Sequence, residues 1–110
     1  MITVCMLSRQ GELCGFTCAG HAMYGDKGTD IVCAAVSALT QTCVLGLEEV
    51  LKLDPQVNCS EKDGITCILN PEGEPDALAG ALVLLKTLNT GLEAILDAYP
   101  GTLKIRTREV

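Results

Sequence analysis

The sequence predicts a two-layer α+β sandwich, a mostly antiparallel sheet with two long helices packed on it, in the order ββαββαβ. Three observations carry this. Asp30 to Leu53 and Pro75 to Tyr99 repeat apolar residues every three or four positions, which is a helical face. Short stretches around them alternate apolar and polar residues, which is the period of a strand. Strands come in pairs before each helix, so a purely parallel sheet is not expected. The chain has 110 residues, the size of one domain, and it is read as a single domain over 1–110.

Each element follows from local chemistry. Ile2, Val4 and Met6 alternate with Thr3, Cys5 and Leu7 as a first strand. Arg9-Gln10-Gly11 turns the chain, and Leu13 to Cys18 pairs back as a hairpin. Gly20 to Gly28 is glycine-rich with no apolar period and reads as a mobile loop. Val32, Val36, Leu39, Cys43, Leu47 and Val50 then line one helical face, capped by Asp30 or Thr29. Pro55 predicts an end near Leu53. Val57 to Ser60 and Ile65 to Leu69 flank Lys62-Asp63-Gly64, a hairpin signal.

Pro75 suits a first helical turn. Leu78, Leu82, Leu85, Leu88, Leu92, Ile95 and Tyr99 trace the second helical face until Pro100-Gly101 stops it. Gly80 and Gly91 inside that helix each cost about 1 kcal/mol against Ala, so close approach of another backbone is expected there. Leu103, Ile105 and Thr107 alternate with Lys104, Arg106 and Arg108, a strand with one wet, basic face.

Composition removes several function classes. The hydrophobic fraction is 48%, which excludes a disordered chain. A net charge of −6 argues against direct nucleic-acid binding through clustered Lys and Arg. Phe16, Tyr24 and Tyr99 are the only aromatics, too few for a base-stacking platform. The charge-free run from Ile31 to Leu47 falls short of the about 20 apolar residues of a membrane span, and no targeting segment is visible. A cytoplasmic protein is expected, with free thiols at its seven cysteines rather than a disulfide framework.

His21 is the single histidine and opens the glycine-rich loop. A neutral imidazole suits proton transfer. Cys33 is placed at the third position of the first helix, where backbone donors and the helix dipole favour a thiolate. A thiolate beside an imidazole is the minimum for nucleophilic attack on a carbonyl, with N–H groups at the helix start as oxyanion donors. Asp26 and Asp30 are candidates to orient the histidine, although turn and cap roles account for both. Zinc is disfavoured as an alternative. Cys14 and Cys18 lie four residues apart in one strand, roughly 13 Å. Two thiolates on one zinc lie within roughly 4 Å of each other. No cofactor is implied.

Gly20-His21-Ala22, a short glycine-containing loop, and then Asp30-Ile-Val-Cys-Ala-Ala-Val-Ser-Ala-Leu39 resemble the ribosomal-processing cysteine protease family. Chain length, helix order and acidic balance agree, so the resemblance covers nearly the whole chain. It implies a small homodimeric cytoplasmic α+β protease that removes a short N-terminal extension from a large-subunit ribosomal protein, cutting after a phenylalanine. The family's catalytic cysteine maps onto Cys33 and its catalytic histidine onto His21. The motif neighbours Gly20, Ala22, Asp30 and Ser37 are then expected to bind substrate. Ser37 has a structural alternative, a hydroxyl bonded to a carbonyl one turn back. A non-catalytic ribosome-associated binding module is the competing reading, with the glycine loop as docking surface and Cys33 as core filler.

Overall fold

The structure, a computed structural model, describes residues 1–20 and 30–110. Its elements are β1 (Ile2–Arg9), β2 (Glu12–Ala19), α1 (Ile31–Leu45, continuing as a π-helical turn over Gly46–Val50), β3 (Gln56–Ser60), β4 (Gly64–Ile68), α2 (Pro75–Ala98) and β5 (Leu103–Glu109). The order is the expected ββαββαβ. The five strands form one sheet in the order β3-β4-β2-β1-β5. Among the described residues only β1 with β5 is parallel; β1–β2, β2–β4 and β3–β4 are antiparallel. The loop expected to be mobile over 20–28 lies, after Gly20, outside the described residues, as do His21, Ala22, Asp26 and the alternative cap Thr29.

Turn chemistry sets the sheet register. Gln10 and Gly11 both take positive φ, +54° and +81°, as a tight hairpin between right-twisted strands requires. Gly64 opens β4 at φ +76°, and a Cβ there would collide with the Cys18 carbonyl oxygen of the neighbouring strand. The close β2–β4 approach therefore depends on glycine at that position.

Alternation then puts Ile2, Val4 and Met6 of β1, Phe16 of β2, Cys67 of β4 and Leu103 of β5 on one face. Val32, Val36, Cys43 and Leu47 from the first helix, and Ala81, Leu85, Leu88 and Leu92 from the second, cover that face and complete the core. The opposite face carries Lys104 and Arg106, both exposed, which is the wet basic side expected of β5.

Two details differ from the sequence reading. The first helix stops at Val50 rather than near Leu53. The Leu51 N–H bonds the Gly46 carbonyl at 3.0 Å, and Lys52 adopts φ +56°, a left-handed conformation that ends the helix before Pro55 can act. The glycines of α2 receive side chains, not backbone. A Cβ on Gly80 would come within 2.8 Å of Leu51 Cδ2, and one on Gly91 within 3.0 Å of Leu39 Cδ1. Gly46 of the first helix faces Leu84 in the same way. The pairs 39–91, 46–84 and 51–80 run in opposite directions, so the two helices are antiparallel and interlock leucine into glycine.

Candidate active site

The N-terminal end of α1 is fixed by one carboxylate. Asp30 is buried, and its Oδ1 accepts hydrogen bonds from the backbone N–H of Val32 at 2.9 Å and of Cys33 at 3.1 Å. The Asp30 carbonyl accepts the Ala34 N–H at 3.1 Å. Asp30, not Thr29, is thus the cap, and it holds the backbone of Cys33 directly. These bonds also correct the expectation for the oxyanion donors. The amides of Val32, Cys33 and Ala34 are committed to Asp30 and do not face an incoming carbonyl.

Cys33 is half-buried on the wall of a cleft of about 310 Å³. The end of β2 and the residue after it supply Cys18 and Gly20, the first turns of α1 supply Cys33 and Ser37, and the β3–β4 hairpin supplies Lys62 and Ile65. The floor is apolar, with Val36 buried and Ile65 half-buried, and the rim is polar through exposed Ser37, Gln41 and Lys62. An apolar trough with a polar rim and a thiol at its wall suits an extended peptide with an apolar side chain.

The expected site residues distribute as follows. Gly20 follows β2 at φ +98°, where a Cβ would collide with the Met1 carbonyl oxygen. The residue before His21 therefore has to be glycine for the backbone there to lie this close to Met1. Ser37 is exposed in the cleft. The bond back to a carbonyl one turn earlier is made by Thr40, whose Oγ1 donates to the Val36 carbonyl at 3.0 Å. Cys33, Ser37 and Gly20 share the cleft, whereas Asp30, expected to bind substrate, is buried and off the cleft lining, its carboxylate engaged as the helix cap. His21 and Ala22 lie outside the described residues.

Sequence reasoning missed Cys18 as a cleft residue. Strand alternation puts it on the helix-facing side with Cys14 and Phe16, but only the β2–β4 pairing, which joins distant segments, shows that it borders the cleft. Burial pushes its thiol up to about 11, and the neighbouring Cys33, when charged, adds to the rise. A larger depression of about 400 Å³ lies at the far end of α1, between Leu51–Pro55 and the segment before α2. Among the described residues it is lined by no cysteine or histidine.

Comparison with known proteins agrees with this geometry. The family described as cysteine protease Prp matches residues 1–104. The ribosomal processing cysteine protease Prp of Bacillus subtilis is 28% identical over 101 residues, 91% of this chain and 90% of its own. The protein of the same name from Staphylococcus aureus is 27% identical over 106 residues, 96% of this chain and 97% of its own. A crystal structure of an essential ribosomal processing protease Prp from S. aureus, in complex with a covalently linked product peptide, superposes with a TM-score of 0.83 at 27% identity. That superposition covers 98% of this chain and all of the other. With the family matched from the first strand into the last and the same fold throughout, this chain belongs to the cysteine protease Prp family.

Proposed function

We propose that this chain is a cysteine endopeptidase that removes a short N-terminal extension from a large-subunit ribosomal protein during ribosome biogenesis, with Cys33 as nucleophile and His21 as general acid and base. The observation that carries the reading is Cys33 itself. It is the thiol on the open cleft whose own backbone is pinned by a helix cap. A relative with the same fold holds a covalently linked product peptide.

In this reading the Cys33 sulfur attacks the scissile carbonyl and forms a tetrahedral intermediate. His21 gives a proton to the departing amine, which leaves a thioester on Cys33. Water, deprotonated by His21, then releases the acid product. Asp30 is a positioning residue: its carboxylate fixes the first turn of α1 and hence the direction of the Cys33 side chain. Gly20, Ala22 and Ser37 contact the peptide. The acidic chain, at −6, matches a basic ribosomal substrate, because opposite charge speeds encounter.

The enzyme acts in the cytoplasm as a homodimer, without a cofactor. Exposed apolar residues on the helical layer, Leu45 at 56% and Val83 at 62%, support association of two copies. Sedimentation at micromolar concentration should give twice the chain mass.

The deciding experiment incubates the chain with the precursor ribosomal protein of its own genome and reads the products by mass spectrometry. One N-terminal peptide should be released by the native chain and none by Cys33→Ser. Full cleavage by Cys33→Ser would remove the nucleophile assignment, and binding without cleavage by the native chain would leave a docking module.

A further inference from the structure

Cys18 stands beside Cys33 in the cleft without a role in peptide hydrolysis. Both thiols line the same cleft, and both pack against the edge of the hydrophobic core. Cys18 projects from the helix-facing side of β2, opposite Val4 on one side and Ile65 on the other. It is near enough for a charge on Cys33 to oppose a charge on its own sulfur. The remaining cleft cysteine is placed differently. Cys59 pairs with Ile65, which pairs with Cys18, so it lies two strand spacings, about 10 Å, from Cys18 and at the exposed sheet edge.

We propose that Cys18 is the resolving cysteine for Cys33: on exposure to a hydroperoxide the two form a reversible disulfide that shuts the cleft and spares the nucleophile from irreversible oxidation. This rests on the reading of Cys33 as the reactive thiol. In the first step the Cys33 sulfur attacks the outer oxygen of the hydroperoxide. A sulfur–oxygen bond forms, the oxygen–oxygen bond breaks, and the alkoxide leaves and takes up a proton as the alcohol. Cys33 is then a sulfenic acid. In the second step the Cys18 sulfur, having given up its proton, attacks the Cys33 sulfur. The disulfide forms, the sulfur–oxygen bond breaks, and hydroxide leaves with the proton as water. In total two thiols and one hydroperoxide become one disulfide, one alcohol and one water. A cellular dithiol reverses the change by exchange.

The burial of Cys18 gives this pair a pH signature. With its thiol held at about 11, the reactive fraction of Cys18 rises about tenfold for each pH unit between 7 and 9. Oxidation of Cys33 to the neutral sulfenic acid removes the like charge that opposes ionisation of Cys18, so the first step favours the second. Disulfide formation therefore accelerates with pH, and at neutral pH the sulfenic acid persists long enough to be trapped.

The test treats the whole reduced chain with hydrogen peroxide at pH 7.0 and 8.5 and maps the products by peptide mass spectrometry. The expected product at the higher pH is the chain minus two hydrogens, with the peptides of Cys18 and Cys33 joined, and dithiothreitol restores cleavage. Cys18→Ala should instead gain two or three oxygens on Cys33. Its recovery with dithiothreitol, taken against its own untreated activity, should fall by at least about tenfold. Cys59→Ala should behave as the native chain in both respects.

A disulfide joining Cys33 to Cys59, or recovery of Cys18→Ala as complete as that of the native chain, overturns the proposal. If Cys18→Ala does not fold, the linkage map of the native chain decides alone. The linkage is read independently of whether the chain itself cleaves any substrate. A Cys18–Cys33 bond in a chain that cleaves nothing would sustain the pairing and refute the protease reading, and cleavage without that bond would do the reverse.

Discussion

The core and the cleft of this protein use the same residue for opposite purposes. Cys67 and Cys43 sit between sheet and helices, almost without solvent contact, and burial pushes their thiols up to about 12 and about 11. They are small hydrophobes that happen to carry sulfur. Cys33 sits half-buried on the wall of the cleft, on a helix whose first amides bond the Asp30 carboxylate. Nothing in the side chain distinguishes these cysteines. What differs is the water around the sulfur and where on its element the residue sits, in the first turn of α1 or between sheet and helices. A count of seven cysteines therefore says little, and the environment of each says what it does.

The largest effect that can break this comparison is on turnover. Cys33→Ser should reduce cleavage of the precursor below detection while circular dichroism and thermal melting stay near those of the native chain, because a hydroxyl fits the site but is a far weaker nucleophile. His21→Ala should lower turnover by about 10²–10⁴-fold, the usual worth of proton transfer. Turnover retained by Cys33→Ser would move the chemistry to another residue.

The next effect belongs to the core and is read as stability. A buried thiol whose folded pKa is raised holds its proton in the folded state after the unfolded chain has lost it. Its stabilising contribution is complete below the unfolded value, near 8.5–9, and is lost as pH rises toward the folded values of about 11 and about 12. Each such thiol should cost about 1.4 kcal/mol per pH unit over that interval. The urea midpoint should thus be flat from pH 6 to 8 on account of these groups and fall steeply from 9 to 11. Cys67→Val should flatten the fall by about a third, since burial raises the Cys18 thiol to about 11 as well and the variant removes one of three such thiols. A native chain as stable at pH 10.5 as at pH 8 would mean that the core sulfurs ionise without penalty.

How far this contrast was legible in the sequence depends on how local its causes are. The hairpins were readable, because Gln10-Gly11 and Asp63-Gly64 carry their turn geometry within a few residues. Both helical faces were readable from spacing alone, and so was the position of Cys33 three residues past its cap. The end of α1 was not, because Lys52 in a left-handed conformation leaves no mark in composition. The role of Gly80 and Gly91 was misread for a different reason. A glycine announces a close neighbour but not whether that neighbour is backbone or a leucine, and Leu39 in the first helix and Leu51 just past its end are far away in the chain. Cys18 was missed for the same cause: its place on the cleft follows from the pairing of β2 with β4, segments nearly fifty residues apart.

The cap that separates Cys33 from the core thiols should show a smaller effect. Asp30→Ala removes the acceptor for two amides and should cost about 1–2 kcal/mol, read from the urea midpoint. Because the lost bonds hold Cys33 itself, the variant should also turn over more slowly at saturating substrate. Asp30→Asn, which keeps an oxygen acceptor, should recover most of both. A stability loss with unchanged kcat would make Asp30 a cap and nothing more.

The smallest effect completes the contrast from the outer face of the sheet. Cys5 alternates out of the core, pairs with Thr17 and Arg106, and is half-buried among polar neighbours. It neither fills the core, as Cys67 does, nor lines the cleft, as Cys33 does. Cys5→Ser exchanges a weak sulfur donor for a hydroxyl at a site with access to water, so no unpaired polar group is buried. The change in stability should stay within about 0.5 kcal/mol and turnover should be unaffected. Thermal melting and precursor cleavage on the same preparation read both at once. A turnover loss in Cys5→Ser matching that of Cys33→Ser would show that the outer face of the sheet communicates with the cleft, and that environment alone does not assign the roles of these cysteines.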